Sequence, residues 1–518
     1  MPITNKARQG IVSLLLILSA VTSYAASSDA GAKPALPNIV FILADDMSYD
    51  SVSALNDKIG EMKTPQIDRL AKEGMIFDDG HSASSVCTPT RYGILTGRYC
   101  WRTALKKQVL WDYSSPLIND ERLTMGEMLQ AKGYQTGMVG KWHLGMAWPG
   151  KDGKVANRNI SVTYRAYGEK GKKRLADCEQ NIDWKGKIKT PRAYGFDYYF
   201  GVDVPNFAPY CWIENDHMVG TPTIPKPESI YGRDGIMQEG WQLDRILPTL
   251  AEKSVEYINE AAPKDKPYFL YLSLTSPHTP IAPSVAFRGK SGISVYADFV
   301  LETDWAVGQV LDAVEASGEA DNTLIVFSTD NGTSSKCNFK ELKSKGVDLQ
   351  NHFRGHKWHI YEGGHRVPLL VKWPRQIKAG RRNDQTVCLN DFFATFAEIA
   401  GHQIQDHQAE DSYSILPLIT GERETLPDRP LVVHHDHGGK FAIRNKQWKL
   451  IFPLKKGEKI ILYNLDSDIK ESKDVADNYP EVVAELTAAL KKIVSEGRST
   501  KGEVQQNFNG QTSWFGTP

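Results

Sequence analysis

The chain has 518 residues, and its 62 Lys and Arg against 62 Asp and Glu give a formal net charge of zero. That balance excludes a nucleic-acid binder built on a bulk basic excess and a chain with an acidic solvating tail. With 41% hydrophobic and 10% aromatic residues, 42 Gly and 27 Pro, the composition is that of a globular chain. Single cores stop growing at about 250–300 residues, so the length predicts more than one core.

At the N-terminus, Lys6 and Arg8 precede an apolar stretch from Ile11 to Ala20 and small residues ending in Ser23-Tyr24-Ala25. This is the pattern of a secretory signal peptide over residues 1–25, and the apolar run is shorter than the ~20 residues of a membrane span. Export to the periplasm or beyond is the expectation, with no membrane insertion and no lipid anchor, since no Cys lies near the cut. Six cysteines in an exported chain read by default as disulfides, although they are widely spaced and contain no CxxC pair for a thiolate zinc site.

The run Asn38-Ile39-Val40-Phe41-Ile42-Leu43 predicts a strand buried on both faces of a parallel sheet, ending at Asp45-Asp46. A helix follows from Thr64, a candidate cap, through Pro65 to Gly74. Ser84 to Gly93 holds Cys87, a Pro suited to a helix start and Arg91 one turn inside; a Cys there would have a lowered pKa and could be reactive, while the plainer reading is a structural or disulfide-bonded Cys. Thr124 to Gly133 repeats the helix pattern before a strand at Thr136–Val139. Tyr268–Leu274 and Thr323–Ser328 are further strands, separated by a helical stripe from Val300 to Val314 that stops near Gly318. Strands alternating with helices over residues 36–424 predict an α/β domain with a large, mostly parallel sheet. Beyond about residue 425, short strands at Leu431–Val433, Phe441–Ile443, Trp448–Phe452 and Ile460–Tyr463 and a helix at Tyr479–Glu496 predict a smaller antiparallel sheet with one packed helix, residues 425–518.

In open α/β sheets ligands bind beyond the carboxyl ends of the strands. Four predicted strands end in polar sets: Asp45 and Asp46, Lys141 and His143, His278, and Asp330 and Asn331. All four should face one crevice. The aspartates and Asn331 offer only oxygen, which selects hard cations, Ca²⁺ first and Mg²⁺ second. Asn331-Gly332-Thr333 also fits an N-glycosylation acceptor, a chance match if Asn331 sits beside a metal.

The segment CTPTRYGILTG, Cys87 to Gly97, resembles the nucleophile motif of the formylglycine-dependent type I sulfatases of the alkaline phosphatase superfamily. The motif GYQTGMVGKWHLG from Gly133 to Gly145 resembles that family's second signature. FILADD, SPHTP, FSTDNG and YEGGHRVP follow the family's order over nearly the whole chain after residue 36. The resemblance implies an alkaline phosphatase-like fold and oxidation of Cys87 to formylglycine by a formylglycine-generating or maturase enzyme, with the hydrated gem-diol as nucleophile. It implies that Asp45, Asp46, Asp330 and Asn331 hold Ca²⁺ together with the modified Cys87. Arg91 and Lys141 would position the gem-diol, and His143 would assist its later breakdown. His278 would be the acid for the leaving oxygen, a role suited to a His near its unperturbed pKa, and Lys357 would contact sulfate.

Export and these motifs favour a sulfated carbohydrate. NFAPYCWIENDH, Asn206 to His217, resembles a stretch of bacterial glycan sulfatases, making Asn206, Tyr210 and Trp212 candidate sugar contacts, with His435 and Asp436 as a second candidate pair. A transition-metal site at His434 to His437 competes with that reading, but contiguous strand residues alternate between faces. His356, Trp358 and His359 are bulky beside Lys357 and either reshape the pocket or pack at the surface. The resemblance leans to exo-removal of a 6-sulfate from galactose or N-acetylgalactosamine. The rival readings are a phosphodiesterase or phosphonate monoester hydrolase of the same superfamily and a non-catalytic sulfoglycan-binding protein. Three aspartates against a divalent cation, Arg91, Lys141 and Lys357 leave the predicted pocket at +2, which suits single esters at a crevice more than adhesion to a charged polymer. Oligomeric state stays open.

Overall fold

A computed structural model describes residues 36–165, 168–455 and 457–508, so the expected signal peptide at 1–25 lies outside the described residues. Ten strands form the main sheet: β1 (Asn38–Asp45), β2 (Met75–Phe77), β3 (Gln135–Lys141), β4 (Tyr198–Val202), β5 (Trp212–Glu214), β6 (His217–Val219), β7 (Tyr268–Pro277), β8 (Thr323–Thr329), β9 (Leu370–Lys372) and β10 (Arg381–Asn383). Their order is β10-β2-β9-β8-β1-β7-β3-β4-β5-β6. The five central strands β8, β1, β7, β3 and β4 run parallel, so their carboxyl ends share one edge. Antiparallel pairs flank them on both sides, at β8/β9 and β4/β5. All eight residues of β1 are buried, as its unbroken apolar run requires of a strand covered on both faces.

The helices include α1 (Pro65–Glu73), α2 (Cys87–Thr96), α3 (Met125–Ala131), α4 (Gly168–Asn181), α5 (Ile246–Ala261), α6 (Val295–Ala316), α7 (Asp391–Ile399) and α8 (Pro480–Ser495). Thr124 caps α3 in a full capping box with Glu127. Thr64, the expected cap of α1, does otherwise: its hydroxyl accepts from the Ser53 amide at 2.9 Å. The free amides of Gln66 and Ile67 donate to Asp304 of α6 instead, at 3.0 and 2.8 Å, a partner 237 residues away from Ile67 that no local pattern reveals.

Four antiparallel strands, β11 (Val432–His435), β12 (Phe441–Arg444), β13 (Trp448–Ile451) and β14 (Ile461–Asn464), form the second sheet, and α8 packs on it. Val433, Ile443, Leu450 and Leu490 share a cluster with Ala83, Tyr99, Trp101 and Cys388 of the preceding region. The described residues from Leu36 onward accordingly form one compact unit. All six cysteines are free and buried, so the default expectation of disulfides is corrected: each thiol sits in its own packed environment. Among the described residues no helix is long and apolar enough to cross a membrane.

Candidate active site

The shared carboxyl edge delivers the polar residues to one place. Asp45 closes β1, Lys141 closes β3, and Asp330 follows β8 directly. Lys141 Nζ binds Asp45 at 2.6 Å, Arg91 binds Asp330 at 2.6 Å, and Lys357 Nζ binds Asp46 at 2.6 Å. Asp46 takes a positive φ of 63°, which turns its carboxylate back toward the edge of β8, where its amide donates to Asp330 at 3.2 Å. Asn331 Nδ2 donates to Asp46 at 2.7 Å. Asn331 is fully buried, so the glycosylation match is accidental.

Cys87 begins α2 at the centre of this group, with Lys357 Nζ 3.5 Å from its sulfur. The expected lowered thiol pKa is corrected: burial pushes it up to about 12, beyond what Lys141 and Lys357 offset. Arg91 contributes little to the thiol because it is committed to Asp330, Asp45 and the Ser273 hydroxyl. As a thiol, Cys87 is an inert side chain in a charged pocket.

Burial opposes the charge of Asp45, but Lys141, His278, Arg91 and Lys357 together hold its pKa below the ordinary carboxylate range. Asp330 moves the other way, raised to about 7 by burial and by the nearby Asp45. Like charges this close call for more positive charge than the side chains supply. Ligand atoms of Asp45, Asp46, Cys87 and His278 lie within 4.8 Å of one another. Asp45 Oδ1 and Asn331 Oδ1 are buried without a hydrogen-bond partner. Orphaned oxygens among crowded carboxylates fit a hard divalent cation.

His278 follows β7, with Nε2 3.7 Å from Asp46. Its Nδ1 lies against the Thr279 carbonyl, which can only accept, so Nδ1 carries the hydrogen and Nε2 presents its lone pair. Burial, then Lys357, lowers its pKa to about 4, which corrects the expectation of a near-unperturbed His. His143, at φ 55°, donates through Nε2 to the Leu110 carbonyl at 3.2 Å, leaving Nδ1 buried with no partner. Its pKa is also depressed, by burial first and then by Lys141 and Arg91.

The candidate sugar contacts fare differently. The Tyr210 hydroxyl is occupied by the Asn206 and Arg233 carbonyls at 3.0 and 2.6 Å, and its ring is buried. Trp212 packs between Phe200 and Trp241, with centroids 4.9 and 5.0 Å away. Asn206 is half-buried and keeps an unpartnered Oδ1. His435 is buried beside Phe441, with both ring nitrogens unpartnered, while Asp436 accepts from the Lys440 amide at 2.9 Å. Trp358 is well exposed beside Lys357, and His356 and His359 pack on each other at 4.1 Å.

Alternation along β11 points His434 away from His435 and toward His81 and His365, whose ligand nitrogens lie within 4.8 Å of one another. The His365 and His434 rings stack at 3.8 Å and 14°, so their in-plane lone pairs cannot converge on one ion. The cluster is instead part of a buried ionic network. Arg444 binds Asp79 at 2.8 Å and Glu362 at 2.6 Å, and Lys449 binds Glu362 at 3.1 Å and Glu471 at 2.8 Å. It ties the one-turn helix Glu362–His365, five residues past Lys357, to the second sheet.

Sequence reasoning missed the rim. Trp111 stacks on Phe207 at 5.7 Å, Arg233 pairs with Asp112, and Asp203 Oδ1 accepts from the His143 amide at 3.1 Å. Residues 105–115 form no regular element, so periodicity carries no signal there; contacts such as that of Leu110 with His143 identify them.

A doubly flanked parallel sheet with a buried Cys and clustered carboxylates at its carboxyl edge defines a hydrolase of the alkaline phosphatase-like fold. The sulfatase family model matches residues 37–402, and a model of the C-terminal region of N-sulphoglucosamine sulphohydrolase matches residues 351–497. The chain belongs to the sulfatase family. It is 29% identical over 521 aligned positions to an N-acetylgalactosamine-6-O-sulfatase of Bacteroides thetaiotaomicron, covering 90% of this chain and 94% of that protein. Human steryl-sulfatase is 27% identical, covering 85% of this chain and 78% of its own length. A solved structure from a glycosaminoglycan-metabolism locus of Bacteroides thetaiotaomicron superposes with a TM-score of 0.74 at 27% identity, covering 88% of this chain and 99% of that one.

Proposed function

We propose that this sulfatase removes single sulfate groups from a sulfated carbohydrate, with Cys87 converted to formylglycine by a dedicated maturation enzyme and Ca²⁺ held by Asp45, Asp46, Asp330 and Asn331. The observation that carries the reading is the place of Cys87: at the start of α2, its sulfur lies 3.5 Å from Lys357 Nζ and within 4.8 Å of ligand atoms of Asp45, Asp46 and His278 at the carboxyl edge of the sheet. When matured, it supplies a geminal diol, one hydroxyl for attack on sulfur and a second whose deprotonation expels sulfate and restores the aldehyde. Bound Ca²⁺ supplies charge stabilisation for the sulfuryl oxygens.

The remaining work falls to the side chains. Arg91 and Lys141 fix the nucleophile between Asp330 and Asp45 and offset charge on it. The unpartnered Nδ1 of His143 is a lone pair suited to accepting a diol proton. Lys357 faces the sulfate. His278 Nε2 delivers a proton to the leaving oxygen only once an anionic ester lifts its depressed pKa, so its acid form is tied to substrate binding. Similarity to an N-acetylgalactosamine-6-O-sulfatase supports a 6-sulfated galactose-type sugar.

Peptide mass spectrometry of the Cys87 segment from protein made with a maturase, followed by a panel of sulfated mono- and disaccharides, tests the reading. Cys87→Ala should fold normally and lose turnover. Faster hydrolysis of an aryl phosphate than of the aryl sulfate would favour the phosphoester alternative, and intact Cys87 in an active preparation would refute the maturation.

A further inference from the structure

Residues 151–189 hold eleven Lys and Arg against five Asp and Glu. On a chain of zero net charge, a surplus of six in 39 residues is local, and the rest of the chain carries the opposite sign. The helix α4 itself carries Lys170, Lys172, Lys173 and Arg174 against Glu169, Asp177 and Glu179, and four of the eleven cations, Arg158, Lys170, Lys173 and Arg174, line one groove beside it. Lys170, Lys173, Arg174 and Asp177 fall at i, i+3, i+4 and i+7, so they share one face, and with Arg158 and Asn181 they line an open groove of about 770 Å³.

The groove's cations are weakly committed. Lys173 pairs with Asp177 and Arg158 with Asp152, but both pairs are exposed and of the kind that contributes little. Lys170 and Lys172 have no carboxylate partner among the described residues. Lys170, Lys173 and Arg174, three and four positions apart on one face, repel one another, which lowers the stability of the helix, and an anion in the groove would relieve that repulsion.

A file of alternating cations and aromatic rings joins this groove to the catalytic pocket. Arg174 lies 4.7 Å over the Tyr164 ring, and the adjacent Arg165 lies 4.7 Å over Trp111. Trp111 stacks on Phe207, which meets the His143 ring edge-on at 6.0 Å. The rings lie under guanidinium groups, with Arg233 also 5.0 Å from Trp111, so they hold in place cations that suit the sulfate or carboxylate groups of a polyanion.

We propose that the α4 groove binds the neighbouring anionic residues of a sulfated polysaccharide whose terminal ester lies in the Cys87 pocket. The inference rests on the carbohydrate-sulfatase reading, deepens it from a single ester to an extended polyanion, and reverses the expectation drawn from net charge alone.

Dextran sulfate is the probe, with neutral dextran beside it, and binding is measured by calorimetry at low and at near-physiological salt. Wild-type protein is compared with the triple variant Lys170→Ser, Lys173→Ser, Arg174→Ser and with a charge-matched control, Lys473→Ser, Lys491→Ser, Lys492→Ser, at exposed positions elsewhere; thermal unfolding checks that both fold. The groove variant should lose about tenfold or more in dextran sulfate affinity, the control far less, and wild-type binding should weaken with salt while neutral dextran does not bind. Equal losses in the two variants, wild-type affinity in the groove variant, or no wild-type binding overturns the proposal. Separately, turnover of 4-nitrophenyl sulfate by wild-type matured protein tests the sulfatase reading: its absence alongside a groove-specific loss of binding would sink that reading and leave the groove standing.

Discussion

Replacing Glu362 by Gln removes one buried charge with almost no change of shape, at the point where the Lys357 loop meets the second sheet. Glu362 is fully buried and receives Arg444 at 2.6 Å, Arg366 at 3.1 Å and Lys449 at 3.1 Å. Breaking a buried ion pair by removing one partner costs about 3–5 kcal/mol, because the other charge stays buried. Here each cation keeps a second anion: Asp79 serves Arg444 and Arg366, and Glu471 serves Lys449 at 2.8 Å. The loss should therefore fall near ~3 kcal/mol, at the lower end of that range. Equilibrium urea unfolding reads it directly. The cycle completed with Arg444→Met, alone and combined, should show coupling of about 1–3 kcal/mol between the two positions. A change under about 0.5 kcal/mol for Glu362→Gln, or strictly additive effects, would refute the view that this network joins the two sheets.

The buried histidines should also withdraw stability in mild acid. His81 and His435 are buried neutral, with pKa values lowered to about 4 and about 3, and His365 and His434 are depressed as well, all by burial first. Unfolded His takes a proton near 6.5, so this contribution is complete above that pH and drains as pH drops toward 4, by up to ~1.4 kcal/mol per pH unit for each His, while Asp203 and Asp304, raised to about 7 by burial, act in the opposite sense; a pH dependence of the urea midpoint between 7 and 5 left unchanged by His435→Gln would contradict it. Asp330→Asn should weaken Ca²⁺ binding, measured by equilibrium dialysis, by more than the roughly 10–100-fold that outer partners of a metal cost, and undiminished binding would remove Asp330 from the ligand set. Tyr210→Phe should cost about 1 kcal/mol of stability and leave KM for a sulfated sugar unchanged, whereas a raised KM would make Tyr210 a sugar contact.

The carboxylates of the site were legible because the signal is local: an apolar run ending in Asp45-Asp46, and another ending in Asp330-Asn331, must place those residues at strand ends whatever else the chain does. The state of Cys87 was not. Its position before Arg91 at a helix start suggests activation, but Arg91 is spent on Asp330, 239 residues away, and Cys87 is buried. Thr64 fails as a cap for the same kind of reason, since Asp304 arrives from α6 to satisfy the helix amides. Tyr210 and Trp212 match a glycan-sulfatase stretch yet are turned into packing by partners the match does not show.

The sequence by itself determined four of the five parallel central strands, the strands and helix of the C-terminal sheet, the family and the identity of the residues at the carboxyl edge, because periodicity and motifs are properties of neighbours in the chain. Tertiary structure decided the pairing of Lys141, Arg91 and Lys357 with particular aspartates, the depressed histidines, the network through Glu362, and the meeting of Arg158 with Lys170, Lys173 and Arg174 in one groove. Charge interactions and desolvation depend on distance through space and on access to water, and neither quantity is written in the order of residues.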